Sequence, residues 1–156
     1  MKLALYVKKR SLSGNSRIEA LREELEAGGC ELYDVKSSSD LQAGTDALLS
    51  LGGDGTFLSA ALIVRDSGIP VLGVNFGRLG FLSEYKPDEI VAPLLAGEYA
   101  VERRTLLETK VDGTDIDDIS FNEVTVFRNG AAMLGVDVLI DGESLPTCWA
   151  DGLLVA

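Results

Sequence analysis

The sequence predicts an α/β N-terminal domain on an open parallel sheet, followed by an incomplete all-β antiparallel domain. Three observations carry this. Through residues 1–98, short apolar runs alternate with segments of helical period, and strand, helix, strand in that order implies parallel strands joined by right-handed crossovers. After Gly97 the helical signal stops, and strand-forming runs are punctuated by Asp112-Gly113, Asn129-Gly130 and Asp141-Gly142, dipeptides of tight turns. The last residues, 151–156, read as a turn entering another apolar strand. A β region of that kind is expected to be a fragment, or to be completed by another subunit. The expected division is 1–98 and 99–156.

Taken in order, residues 3–7 are an apolar run that reads as a buried strand. Ser16, with Glu19 three residues on, has the spacing of a capping box, and Ile18, Leu21 and Leu25 then repeat at helical spacing. Gly28-Gly29 would end that helix. Residues 32–35 and 47–51 are the next two strands, and a glycine-rich turn leads into a helix over about 57–66, closed by Gly68. Residues 70–75 return as a fourth strand, and 87–95 form a last helix. Beyond it, 99–111, 119–127 and 131–140 read as strands.

Composition narrows the function. The net charge of −11 opposes an electrostatic interface with nucleic acid or an anionic membrane, and obliges a phosphorylated ligand to find a local positive site. No apolar run is long enough to cross a bilayer. The opening apolar stretch is too short for a signal peptide and runs at once into Lys8, Lys9 and Arg10, so a cytoplasmic location is expected. Cys30 and Cys148 are far apart, with no C-x-x-C pair, and are expected as two buried free thiols. There is no histidine, so carboxylates must carry any proton chemistry.

The most informative segment is Gly52-Gly53-Asp54-Gly55-Thr56. It joins a predicted strand to a predicted helix, where open α/β sheets bind ligands. Glycines let backbone N–H groups approach a phosphate, and a helix N-terminus adds a favourable dipole. It is neither a Walker A loop, lacking Gly-Lys-Ser/Thr, nor the G-x-G-x-x-G dinucleotide fingerprint. A carboxylate repels phosphate, so its presence in an anion-binding loop calls for a reason. Asp54 would accept a proton from an attacking hydroxyl, hold a metal, or cap the following helix. A second cluster, residues 73–82, follows the next strand, so it should lie along the same sheet edge. Its glycines leave room for a flat ligand, on which Phe76 or Phe81 would stack, with Arg78 a candidate phosphate contact. A tight turn with two core phenylalanines is the alternative.

Together these pieces resemble the NAD kinase family. Gly52-Gly53-Asp54-Gly55-Thr56 is similar to its G-G-D-G-T loop, and residues 75–82 to its N-x-G-x-L-G-F-L segment. Asn122-Glu123 is similar to its N-E motif, and Asp151-Gly152 to the D-G that opens its next strand. The loop alone is shared with diacylglycerol, sphingosine and phosphofructo-kinases; the set of four, in order, covers nearly the whole chain. The resemblance implies transfer of the γ-phosphoryl of ATP to the 2′-hydroxyl of the adenosine ribose of NAD, in a cleft between an α/β and an all-β domain. It implies phosphate binding by Gly52, Gly53, Gly55 and Thr56, and Asp54 as general base or organiser of the acceptor ribose, with Gly55 on the same nucleotide. It places Phe81 and Leu82 beside the adenine, Asn122 and Glu123 on its polar edge or ribose hydroxyls, and Asp151 near the nicotinamide. It further implies a divalent metal, Mg²⁺, arriving with ATP, and a homodimer or homotetramer. Two departures stand out. The family's T-P-T-G-S-T-A-Y segment would follow Ala156, and the position two before Asp151, often basic in the family, is Trp149. A lipid or sugar kinase, or an inactive nucleotide-binding module, is the competing expectation.

Overall fold

The computed structural model describes every residue except 9–13, 78–79 and 115–116, and the side chain of Asp117. The chain divides into two compact units, Met1–Arg103 and Arg104–Ala156.

The first unit is a four-stranded parallel sheet flanked by helices. Its strands are β1 (Lys2–Tyr6), β2 (Glu31–Asp34), β3 (Ala47–Leu51) and β4 (Val71–Val74), in the order β2-β1-β3-β4. The helices are α1 (Ser16–Ala27), α2 (Asp54–Val64) and α3 (Pro87–Ala96). A parallel sheet is covered on both faces, so its strands are apolar on both. Leu3, Leu5, Leu49, Leu51 and Val74 pack with Ile18, Leu21 and Leu25 of α1 and Ile90 and Leu94 of α3. Ala4 and Leu48 face the other way, onto Ala60, Ile63 and Val64 of α2.

Two boundaries differ from expectation. Asn15, not Ser16, caps α1: its side chain accepts from the Arg17 N–H at 2.9 Å, and Ser16 is already helical. Asn and Ser are comparable caps, so which one serves is decided by where the chain turns. The second helix begins at Asp54 rather than near residue 57, with Gly53 as its cap. The glycine loop is thus largely the first turn of α2.

In the second unit the strands are short and pair in twos. Antiparallel ribbons join β5 (Leu107–Lys110) to β6 (Asp117–Ser120), β7 (Val124–Phe127) to β12 (Gly152–Val155), β8 (Leu134–Val136) to β11 (Cys148–Ala150), and β9 (Leu139–Ile140) to β10 (Glu143–Ser144). The antiparallel class is as expected, but the three long strands are not: 99–106 lies outside any strand, 119–127 is broken at 121–123, and 131–140 is split between β8 and β9. Asp141-Gly142 turns β9 into β10 with both φ positive, 51° and 87°, the backbone of a tight hairpin turn. Cys30 is buried, whereas Cys148 is exposed at the start of β11, against the expectation of two buried thiols; both are free. No described helix is long and apolar enough to cross a membrane.

Candidate functional site

The carboxyl edge of the parallel sheet carries both glycine clusters. Beyond Leu51 the chain turns through Gly52 and Gly53 into α2; beyond Val74 it loops through residues 75–85 and returns, the Asn75 N–H donating to Tyr85 O at 2.7 Å. The two turns are tied together by the Gly52 N–H, which donates to Val74 O at 2.9 Å.

Asp54 makes the second tie. Its Oδ2 accepts from the Phe81 N–H at 2.9 Å, and its Oδ1 from the N–H groups of Leu82 and Ser83, both at 3.0 Å. Three donors favour the ionised carboxylate, so Asp54 is held below the ordinary carboxylate value: the Phe81 N–H lowers it most, burial pushes the other way, and the Leu82 and Ser83 N–H groups add to the lowering. Asp54 is the first residue of α2, not its cap, so its charge also meets the positive end of the helix dipole.

The loop is built to receive that carboxylate. A Cβ on Gly80 would stand 2.1 Å from Asp54 Oδ1, and one on Gly73 would stand 2.5 Å from Leu82 O. These two glycines make room for the protein's own atoms, whereas Gly77 has open space. Asn75, buried to 4% exposure, braces the loop from inside: its Nδ2 donates to Ser83 O at 2.9 Å and its Oδ1 accepts from the Gly77 N–H at 2.7 Å. The outcome is an open platform. Phe81 is 91% exposed, while Phe76 packs against the core beneath the Arg17 guanidinium, 5.4 Å from its ring centre. Of the two expected stacking rings, only Phe81 is presented to solvent. Arg78 lies outside the described residues.

The amides of the first loop fall into two groups. Gly52 N–H is held by Val74 O, and Thr56 N–H donates back to Gly53 O at 2.8 Å. The N–H groups of Gly53, Asp54 and Gly55 have no partner among the described residues, as expected for a helix start. A Cβ on Gly52 would meet Thr56 Oγ1 at 2.3 Å, so Gly52 serves as packing space for the buried Thr56.

In the second unit, Asn122 and Glu123 are exposed in the bend between β6 and β7, and Asp151 is exposed between β11 and β12. The register pairs Val124 with Val155 and Phe127 with Gly152. Asn122-Glu123 and Asp151 therefore stand at opposite ends of one ribbon, about 17–20 Å apart at ~3.4 Å per residue. Asp151 is tied to Arg128, its Oδ1 3.0 Å from Nε and its carbonyl accepting the Arg128 N–H at 2.9 Å. Reading the sequence missed Gly80 and Ser83 as partners of Asp54. The glycine at 80 was a visible signal, but the atom it makes room for was not.

A family model described as the ATP-NAD kinase N-terminal domain matches residues 8–98. Over 128 residues the chain is 42% identical to the NAD kinase of Flavobacterium psychrophilum, a match covering 77% of this chain and 44% of that protein. Over 151 residues it is 38% identical to the NAD kinase of Rhodococcus erythropolis, covering 91% and 48%. The chain thus spans less than half the length of these curated relatives. Among solved structures, an NAD kinase from Archaeoglobus fulgidus in complex with ATP superposes with a TM-score of 0.76 at 24% identity, over 99% of this chain and 59% of that one. Yeast NADH kinase complexed with NADH gives 0.75 at 23%, over 99% and 57%. At that identity the two structures speak for the fold alone.

Proposed function

The chain belongs to the ATP-NAD kinase family, and from that premise we propose that the protein transfers the γ-phosphoryl of ATP to the 2′-hydroxyl of the adenosine ribose of NAD, yielding NADP. The observation that carries the proposal is the Asp54 carboxylate, fixed by three backbone donors beside the open amides of Gly53 and Gly55. The amides and the helix start bind phosphate. The carboxylate orients the ribose hydroxyl: Oδ2 accepts one N–H and keeps a lone pair directed elsewhere. A carboxylate held this low is a weak base, so positioning is its main contribution and it takes the proton late. That suits phosphoryl transfer, whose loose transition state asks chiefly for alignment and charge stabilisation. Phe81 offers a face to the adenine, with Leu82 beside it.

Among the described residues, no three carboxylate or thiol groups converge where a metal could sit. Asp54 is the carboxylate beside the open amides, and it would meet a divalent cation, Mg²⁺ in our reading, that enters on the donor's phosphates. When bound, it offsets charge on the transferring phosphoryl group. We assign the protein to the cytoplasm, as a homodimer or homotetramer, with no nucleic-acid or membrane partner. Family membership sets aside the lipid- and sugar-kinase alternatives.

The test supplies Mg-ATP and NAD to the full-length protein and detects NADP with a dehydrogenase that accepts NADP alone. NADP should form, and Asp54→Ala should lower turnover at least ~100-fold. Absence of NADP overturns the activity; an unimpaired Asp54→Ala overturns the role of the carboxylate.

A further inference from the structure

Lys8 follows β1 at the carboxyl edge of the sheet, and β1 is the neighbour of β3, from which the glycine loop springs. Its side chain is exposed and reaches across to α2, where Nζ donates to Ser59 Oγ at 2.8 Å; Ser59 Oγ donates in turn to Gly55 O at 3.0 Å. An ammonium is thereby parked two hydrogen bonds from the loop, one helical turn along α2. The same elements need such a charge. The protein's net charge is −11, and the loop's own side chain, Asp54, is an anion held ionised, so a local cation would complement the backbone amides that face the donor's phosphates. A turn of helix rises ~5.4 Å, within the swing of a four-carbon lysine arm, and a hydroxyl is a neutral anchor that an ammonium leaves readily for a phosphate oxygen.

We propose that Lys8 is a donor-binding residue: on arrival of ATP its ammonium leaves Ser59 and contacts the phosphates held at Gly53 and Gly55. The inference rests on the reading of the site as a kinase centre and names its donor-side cation. Steady-state kinetics of the full-length enzyme test it. Lys8→Met should raise KM for ATP about tenfold, the worth of one charge-assisted hydrogen bond, with KM for NAD within twofold of wild type; Lys8→Arg should recover most of the loss. Ser59→Ala should leave KM for ATP near the wild-type value, because it removes only the parking place. An unchanged KM for ATP in Lys8→Met overturns the proposal, and so does an equal rise in Ser59→Ala, which would make the pair a structural tie. Calorimetric titration with ATP separates this from the activity itself. Were wild type to make no NADP, the kinase reading would fall, while weaker ATP binding by Lys8→Met would still uphold Lys8 and unchanged binding would still overturn it.

Discussion

Replacing Gly80 by alanine probes the central feature of the site. The new Cβ would stand 2.1 Å from Asp54 Oδ1 and 2.5 Å from Cγ, against 3.4 Å where ordinary contact begins. Either the carboxylate or the loop must retreat by more than an ångström. Bonds of 2.9, 3.0 and 3.0 Å then pass beyond the ~3.2 Å at which such bonds are ordinarily found. Each charge-assisted bond is worth about 1.5–3 kcal/mol; the site is half-exposed, so water recovers part of this, and we expect a net loss of roughly 2–4 kcal/mol. The helical far-UV signal, which comes from α1, α2 and α3, should show that loss in urea unfolding. If Asp54 orients the acceptor hydroxyl as proposed, kcat/KM should fall about 100-fold, at 1.36 kcal/mol per decade. Gly77→Ala is the control: it lies in the same loop, has open space around it, and should change stability by no more than ~0.5 kcal/mol. A Gly80→Ala protein of wild-type stability and activity, or a Gly77→Ala protein destabilised as badly, would overturn this account of the loop.

Two further outcomes follow from the same network. Because the Asp54 value is depressed in the folded protein, its contribution is present above the unfolded value near 4 and fades as pH falls through the folded one. Wild type should therefore lose stability relative to Asp54→Asn below about pH 4, and urea midpoints of the two proteins should converge there; a gap constant from pH 7 to pH 3 would contradict the assignment. The comparison cancels Asp40, also lowered, chiefly by the Lys36 and Ser37 N–H groups. Asn75→Ala should cost about 2–4 kcal/mol, since it strips the buried Ser83 carbonyl and the Gly77 N–H of partners at ~1–3 kcal/mol each. Asn75→Asp should not rescue it, having no N–H to donate to Ser83 O; recovered stability in that variant would show that the bond is not what holds the loop.

What the sequence revealed follows from how far each signal travels along the chain. The parallel sheet was legible because burial on both faces writes itself locally, as in Leu48, Leu49 and Leu51, apolar whichever way they point. The start of α2 is hard to see in the sequence because a glycine-rich run reads as loop, although Gly53 caps and Asp54 begins the helix. The ribbons of the second unit were poorly legible for the opposite reason: β7 with β12 and β8 with β11 pair across long stretches of chain, whereas the Asp141-Gly142 hairpin announces itself in adjacent residues. In the site, the candidate residues Asp54, Phe81 and Leu82 were all visible, but their connection was not. It spans 27 to 29 positions and depends on a side chain meeting three backbone N–H groups, which carry no residue identity. Gly80 marks the meeting only by lacking an atom. This recasts what the second cluster is for. The space at its glycines 73 and 80 is taken by the protein's own atoms, whereas the Phe81 ring, the space beside Gly77 and the amides of Gly53 and Gly55 are open, and the proposed function would seat its ligands there. Asp54, held by the loop it orders, fixes the platform and the carboxylate edge in one step, so under the proposed function the acceptor surface would not loosen without releasing the carboxylate.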